Sequence, residues 1–205
     1  MKEFNVVLAG VGGQGTLLAA EILGTAALKD GLNVRVSEIH GMAQRGGAVT
    51  SDVRIGRKVL APTVLEGQAD VLLGFEPLET LRNLKYASRK TLVIMSDERI
   101  PQPELTSKNI DYPSMDEIFE KIQTFTKKIL IVKTTRLAEE AGSSLTQNIV
   151  LIGALAATEK LPVKRESLVE AIKELVPARH VKTNIKAFDL GYNYVKSKDE
   201  HALNF

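Results

Sequence analysis

The sequence predicts an α/β protein with a Rossmann-like, three-layer α/β/α architecture and a mostly parallel sheet. Three observations lead to this fold class. A buried strand runs directly into a glycine cluster, a helical stretch follows the cluster, and short apolar strands alternate with helical patterns further along. One stretch of alternating residues interrupts that order and predicts an added antiparallel strand. We expect a single domain over residues 1–195 and a loose polar tail over 196–205.

The first strand and its glycine cluster carry the strongest local pattern. Residues 4–9 are apolar-rich, and residues 10–15 read Gly-Val-Gly-Gly-Gln-Gly. Gly10, Gly12 and Gly15 match the G-x-G-x-x-G spacing with which a dinucleotide-binding fold opens its first helix. The helix start adds unpaired N–H groups and the positive end of the helix dipole. The candidate cofactor-binding residues are therefore Gly10, Gly12, Gly13, Gln14 and Gly15. A purely structural alternative is that the glycines only allow tight helix packing.

The next elements follow from periodicity and capping. A helix is expected over residues 16–28, ending near Gly31, and an alternating strand is expected over 32–38. Strand, helix and strand in this spacing predict a parallel pair formed by the first two strands. Glu38 then lies where such folds place a ribose-binding carboxylate, or it is a solvated residue at a strand end.

The stretch after the second strand departs from regular alternation. Residues 48–55 alternate like a half-exposed strand, which favours antiparallel pairing. Residues 59–68 form a proline-containing loop. Because both segments interrupt the βα order, we expect them to dock on a partner. The remaining expected elements are strands over 69–75, 91–95 and 128–132, and helices over 78–87, 116–126, 145–159, 164–176 and 178–195.

A polar, glycine-rich loop over residues 40–47 connects the second strand to the added strand. Its sequence has no packing rationale as a core element, and it follows the carboxyl end of a strand, where open α/β sheets bind ligands. The alternative is a flexible turn with incidental charge. The candidate substrate or interface residues are His40, Gln44, Arg45, Gly46 and Gly47.

Composition excludes several function classes. Of 205 residues, 44% are apolar and 25% are charged, and the net charge is +2, so no strong field favours nucleic acid or membrane. Apolar runs are too short for a membrane span, and the start of the chain does not resemble a signal peptide. We expect a cytoplasmic protein.

Redox chemistry and metal binding are limited by the same composition. The chain has no cysteine, which excludes disulfides, thiolate zinc sites and cysteine-ligated iron–sulfur clusters. Its three histidines are scattered, and none forms a Ser-His-Asp pattern. Tyr86 and Lys90 have a dehydrogenase-like spacing but lie too early in the chain for that role. We therefore assign no catalytic residue, no metal site and no cofactor bound by this chain alone.

Two motifs together resemble a known family. Residues 10–15, with the Val-Ser-Glu-Ile-His-Gly-Met-Ala-Gln-Arg-Gly-Gly run at 36–47, resemble the gamma-type domain of 2-oxoacid:ferredoxin oxidoreductases. The His-Gly-Met-Ala-Gln-Arg-Gly-Gly form is most similar to the small (beta) subunits of the branch that acts on indolepyruvate, while Arg-Gly-Gly alone is shared with pyruvate-type relatives. The run at 69–79 and the last helix extend the resemblance over nearly the whole chain.

The resemblance implies a subunit that is inactive alone. A large partner subunit would carry thiamine diphosphate, magnesium and iron–sulfur clusters, and the complex would oxidatively decarboxylate arylpyruvates. The acyl group would pass to coenzyme A as co-substrate, and ferredoxin would be reduced through the complex. Two other readings remain open from the residues: a stand-alone NAD(P)- or flavin-dependent oxidoreductase, and a non-catalytic nucleotide-binding module. The absence of a second domain and of a proton donor disfavours the first of these.

Overall fold

Six strands form one mixed sheet in the computed structural model, which describes residues 3–40, 46–100 and 111–202. The strands are β1 (Phe4–Val11), β2 (Asn33–His40), β3 (Ala48–Gly56), β4 (Val71–Gly74), β5 (Leu92–Ser96) and β6 (Ile129–Val132). Their order across the sheet is β2-β3-β1-β4-β5-β6. Strands β1, β4, β5 and β6 are parallel, and β3 is antiparallel to both of its neighbours. The predicted fold class, with its added antiparallel strand, is confirmed.

The expected parallel pair of β1 and β2 is wrong. Strand β3 returns between them and pairs with β1 on one side and with β2 on the other, so β2 forms the sheet edge. The expected half exposure of β3 is wrong for the same reason. As an internal strand it is covered on both faces, and its polar residues Ser51 and Asp52 are buried.

Seven α-helices complete the described part of the chain. They are α1 (Thr16–Lys29), α2 (Pro77–Arg82), α3 (Met115–Gln123), α4 (Thr134–Ala141), α5 (Gln147–Ala157), α6 (Arg165–Leu175) and α7 (Val181–Ala202). Helix α2 is shorter than expected because the chain tightens into a 3₁₀ turn over Leu84–Tyr86. The last helix continues past residue 195 to Ala202, where a loose tail was expected.

Helix α4 was missed in the sequence. It is only eight residues long and begins with two threonines, whose branched side chains have low helix propensity. Burial of Leu137, Ala138 and Ala141 against the core stabilises it. Tertiary packing, more than local preference, therefore makes this segment helical.

Two hydrophobic cores lie on opposite faces of the sheet. One face packs against α1, α4, α5, α6 and α7, which we call the five-helix side. The other packs against α2, α3 and the segment that precedes β4, which we call the two-helix side. The alternation along β1 illustrates the division, since Val6 and Leu8 belong to the first core and Val7 and Ala9 to the second.

The connectivity fixes where a ligand can bind. From β1 the chain crosses to β2 and β3 on one side of the sheet, and it later returns to β4 on the other side of β1. The connections thus diverge at the carboxyl ends of β1 and β4. Open α/β sheets bind ligands in the crevice at such a point.

Candidate ligand-binding site

The glycine loop lies at the carboxyl end of β1. Gly13 and Gly15 have φ values of 103° and 75°, a region that favours glycine. Gly15 also caps the start of α1, and a Cβ on it would lie 2.5 Å from the Asn148 amide nitrogen. Gly10 lies inside β1, where a Cβ would be 2.8 Å from Cβ of Phe75, so its missing side chain permits close packing. The loop therefore needs glycines for two different reasons.

Gln14 holds the glycine loop in place. Its amide oxygen accepts a hydrogen bond from the Val11 N–H at 2.7 Å, and its amide nitrogen donates to the Phe75 carbonyl at 2.8 Å. These two bonds join the carboxyl end of β1 to the residue that follows β4. The side chain that the sequence suggests as a ligand contact thus positions the loop around the ligand space.

The structure brings the glycine loop together with part of the second candidate loop. The Gly12 N–H donates to the Gly47 carbonyl at 2.8 Å, and the Gly46 N–H lies 3.5 Å from the Gly12 carbonyl. The two glycine-containing segments are therefore one site. His40 ends β2, but its side chain, Gln44 and Arg45 lie outside the described residues.

A second helix start faces the same space. The Asn148 amide nitrogen, in the first turn of α5, donates to the Gly15 carbonyl at 3.2 Å and so ties the start of α5 to the start of α1. No N-cap side chain is hydrogen-bonded to the first turn of α1 or of α5 in the described structure, although the Asn148 amide oxygen accepts the Ile149 N–H at 2.9 Å. Helix α5 continues a 3₁₀ turn over Ser144–Thr146, whose Leu145 N–H donates to the Ser143 hydroxyl at 3.3 Å. The positive dipole ends of two helix N-termini therefore favour an anion here.

A cavity of about 420 Å³ opens at this point of the sheet edge. Its floor is the glycine loop, and its apolar walls come from β1, the residue after β4, the segment after β5 and helix α5. The lining residues are Val11, Gly12, Gly13, Gln14, Gly46, Phe75, Glu98, Ile100, Ser144, Leu145, Gln147 and Leu151.

Apart from Gln14, the polar side chains of this cavity were not identified in the sequence. One of them, Gln147, is oriented by two buried hydroxyl groups. The Ser96 and Thr134 hydroxyl oxygens lie 2.5 Å apart, and the Thr134 hydroxyl donates to the Gln147 amide oxygen at 3.0 Å. The Glu98 N–H donates to the Ser96 hydroxyl at 3.0 Å. Ser96 ends β5, so the rule that strand ends meet at one edge could have drawn attention to this segment.

Glu38 lies away from the cavity. It is exposed on edge strand β2, opposite Ser51 of β3, which in turn is opposite Leu8 of β1. Two strand spacings, roughly 10 Å, therefore separate its backbone from β1. This placement weakens the reading in which Glu38 binds the ribose of a dinucleotide.

We also searched the described residues for metal sites and membrane-spanning helices. Within 3–40, 46–100 and 111–202, no group of three or more His, Cys, Asp or Glu side chains is arranged to hold a metal ion. Over the same ranges, no helix has the length and apolar character needed to span a membrane. The cavity is lined by the backbone of the glycine loop, by amide and hydroxyl side chains, by one carboxylate and by apolar side chains.

Comparison with known proteins gives consistent matches. The family model described as pyruvate ferredoxin/flavodoxin oxidoreductase matches residues 5–194. Indolepyruvate oxidoreductase subunits IorB from Pyrococcus horikoshii and Thermococcus kodakarensis are 46% and 43% identical, each over 96% of this chain and 98% of the relative. The common gamma subunit of pyruvate/ketoisovalerate oxidoreductases from Thermococcus kodakarensis is 31% identical over 90% of this chain and 92% of its own length.

A solved structure has the same fold. The 2-oxoglutarate:ferredoxin oxidoreductase of Magnetococcus marinus, with 2-oxoglutarate, coenzyme A and succinyl-CoA bound, superposes with a TM-score of 0.73 at 18% identity. The match covers 96% of this chain and 32% of that longer chain. The fold described here thus forms about one third of a larger oxidoreductase polypeptide in that organism.

Proposed function

We propose, from the premise that this chain belongs to the pyruvate ferredoxin/flavodoxin oxidoreductase family, that its complex oxidises indolepyruvate and related arylpyruvates. The chain is a subunit of a multi-subunit 2-oxoacid:ferredoxin oxidoreductase. The relatives named for indolepyruvate are more similar to it than those named for pyruvate and ketoisovalerate. The complex would release the 2-oxoacid carboxylate as CO₂, join the acyl group to the sulfur of coenzyme A and pass the electrons to ferredoxin.

The redox cofactors belong, in this proposal, to a large partner subunit. This chain has no cysteine with which to hold a thiolate-ligated iron–sulfur cluster. Thiamine diphosphate and magnesium on the partner would supply the decarboxylation, and iron–sulfur clusters there would carry electrons to ferredoxin. In such enzymes the cofactor performs the difficult chemistry, and the protein supplies binding, orientation and charge. We assign that second role to this chain.

We assign the cavity to the phosphate-bearing part of coenzyme A. The observation that carries this assignment is the convergence of the glycine loop and two helix N-termini on one cavity. Backbone N–H groups and helix dipoles bind phosphate without a neutralising side chain. Residues Gly10, Gly12, Gly13, Gln14 and Gly15 would form or position this cradle. The thiamine diphosphate of the partner has similar phosphate chemistry, so the test must separate the two ligands.

Reconstitution of the complex tests the assignment. We would express the chain with its large subunit and measure indolepyruvate-dependent ferredoxin reduction while varying coenzyme A. Ser144, an exposed residue of the cavity wall, is replaced by Trp to fill the space, and the exposed Ser197 on α7 is replaced by Trp as a control. Ser144→Trp should raise the KM for coenzyme A about tenfold or more, while Ser197→Trp should not.

Two outcomes would contradict the assignment. If Ser144→Trp changes the requirement for thiamine diphosphate but not the KM for coenzyme A, the cavity faces the partner's cofactor. If neither changes, the cavity is not a reactant site. Turnover by the isolated chain with a bound dinucleotide would instead favour a stand-alone NAD(P)- or flavin-dependent enzyme. Dinucleotide binding without turnover would favour a nucleotide-binding module.

We also propose that Arg45 contacts a phosphate or carboxylate group. This proposal comes from the chemistry of its side chain and from its place in the sequence. Its guanidinium offers a donor fork suited to phosphates and carboxylates, and the next residue, Gly46, lines the cavity. Arg45→Ala should lower the activity of the reconstituted complex about tenfold or more, with folding nearly intact. Arg45→Lys should rescue only in part. The control is Arg57→Ala in an exposed turn, and equal activity of Arg45→Ala and wild type would rule the role out.

A further inference from the structure

A fully buried carboxylate lies behind the cavity wall. Glu76 connects β4 to α2, and its side chain has no exposed surface. One carboxylate oxygen accepts the Glu79 N–H at 2.8 Å, and the other accepts the Ile100 N–H at 3.3 Å and the Tyr112 hydroxyl. Buried charges are normally paired or hydrogen-bonded. Here the three donors come from three different segments, so one side chain joins the end of β4, the segment after β5 and the approach to α3.

Tyr112 supports this carboxylate as a permanent donor. Burial and the neighbouring Glu76 raise the pKa of the Tyr112 phenol well above its usual range, so the hydroxyl remains protonated. The same oxygen accepts a hydrogen bond from the Leu78 N–H at 3.2 Å. The Tyr112 hydroxyl is thus held between two partners, as a donor to Glu76 and as an acceptor from Leu78.

Glu76 does not line the cavity, but it connects two segments that do. The preceding residue, Phe75, lines the cavity, and its carbonyl holds the Gln14 side chain of the glycine loop. Ile100, whose N–H donates to the Glu76 carboxylate, also lines the cavity. The glycine loop and the segment after β5 are therefore held relative to each other through Gln14, Phe75, Glu76 and Ile100.

We propose that Glu76, assisted by Tyr112, is a positioning residue that sets the distance between the glycine loop and the segment after β5, both of which line the ligand cavity. The identity of the ligand as coenzyme A rests on the proposed function. Because the decarboxylation would take place on the partner's cofactor, loss of this link should weaken binding in the cavity far more than it slows turnover. A residue that only stabilised the fold would lower activity for both substrates together.

The test compares two buried carboxylates at the start of α2, that of the N-cap residue Glu76 and that of Glu79 in the first turn. Glu76→Gln replaces one carboxylate oxygen, which accepts hydrogen bonds, with an amide NH₂ group, which donates them. Tyr112→Phe removes the hydroxyl that donates to Glu76. Glu79→Gln is the matched control, since the Glu79 carboxylate is also buried, at 1% exposure, but pairs with Arg82. This variant keeps the Glu79 backbone N–H that donates to Glu76. In the reconstituted complex, Glu76→Gln and Tyr112→Phe should raise the KM for coenzyme A about fivefold or more. The KM for indolepyruvate and kcat should change less than twofold, and Glu79→Gln should leave all three near wild type.

A second measurement does not depend on the ligand. Amide hydrogen exchange of the isolated chain should become faster at residues 11–14 as well as at 97–100 in Glu76→Gln, and at neither segment in Glu79→Gln. Faster exchange at both segments with an unchanged KM for coenzyme A would preserve the positioning role and contradict the ligand assignment. Unchanged exchange at residues 11–14, or equal changes in Glu76→Gln and Glu79→Gln, would overturn the positioning role itself.

Discussion

The two sides of the sheet are built in different ways. The five-helix side is held by apolar packing, and its helices approach closely enough that backbone touches backbone. The two-helix side also buries the carboxylates of Asp52, Glu76 and Glu79. Asp52 and Glu76 accept hydrogen bonds from backbone N–H groups of loops. The comparison teaches that apolar packing holds the helices on the first side, whereas buried charged side chains position loops on the second.

The crossing of α5 and α7 exemplifies the five-helix side. A Cβ on Gly153 would overlap the carbonyl oxygen of Phe188, and a Cβ on Gly191 would overlap the carbonyl oxygen of Val150. Two facing glycines therefore allow the helix backbones into direct contact. The fully buried Phe188 completes the packing. Such a contact has no flexible side chain that could move aside.

The segment before β4 exemplifies the two-helix side. The Arg54 guanidinium donates to the carbonyls of Ala61 and Thr63 at 2.8 and 3.2 Å, and the Asp52 carboxylate accepts the Val64 N–H at 2.9 Å. Two charged side chains of β3 thus fix the backbone of this loop. Leu60, just before the fixed residues, is 78% exposed. Leu65, in the same loop, is 71% exposed, and exposed apolar side chains on a loop that is held in place are candidate contacts for a partner.

The largest effect is expected at the helix crossing. Gly153→Ala should lower the free energy of unfolding by about 3 kcal/mol, because the methyl group meets immobile backbone and forces α5 and α7 apart. Urea unfolding of the isolated chain measures this. Gly24→Ala in α1 is the control, since the nearest atom to its Cβ is a Val36 methyl at 3.6 Å. Gly24→Ala should raise the free energy of unfolding by up to about 1 kcal/mol, because alanine has a higher helix propensity than glycine. If both variants change the free energy of unfolding in the same direction, the contrast is refuted.

An intermediate effect is expected on assembly. Residues 48–55 and 59–68 were both expected to dock on the partner, but β3 is internal to the sheet, so only the loop remains a candidate. Leu60→Asp with Leu65→Asp should weaken binding to the large subunit about tenfold, as loss of buried apolar contacts does. Titration calorimetry or co-purification measures it. Leu28→Asp, 61% exposed on α1, is the control, and similar losses for both would remove the special role of the loop.

The smallest effect concerns pH and Asp52. Burial raises the pKa of its carboxyl above the ordinary value of 3.8, and its second oxygen has no hydrogen-bond partner in the described structure. The folded state therefore binds the proton more tightly than the unfolded state, so this group destabilises the protein as pH rises from about 4 through the raised pKa. Asp52→Asn cannot ionise, and its amide oxygen can still accept the Val64 N–H.

Asp52→Asn should accordingly flatten the loss of stability between pH 4 and pH 7, with a change of about 1 kcal/mol or less at neutral pH. Chemical unfolding at both pH values measures this. Asp189→Asn, at a half-exposed ion pair with Arg165, is the control and should not flatten the profile in this direction. A wild-type profile retained in Asp52→Asn would mean that Asp52 does not cause the pH dependence.

The sequence by itself determined the elements whose patterns are local. Apolar runs and alternation located every strand, and the glycine spacing correctly placed a tight turn between β1 and α1, where Gly13 and Gly15 take positive φ values. The residues of the glycine loop and of the 40–47 loop also carried the family resemblance, which the comparisons confirmed. These features can be read from the chain because each depends on the conformation of neighbouring residues.

Only the tertiary structure decided which strands are neighbours and which polar groups are buried. Strand order depends on pairing between distant segments, so periodicity could not reveal that β3 separates β1 from β2 and moves Glu38 to the edge. Likewise, nothing local distinguishes Glu76 from a solvated helix cap, because its burial comes from Ile100 and Tyr112, which are far away in the sequence. Both outcomes depend on long-range contacts, whose free energy exceeds the local preference of any single residue.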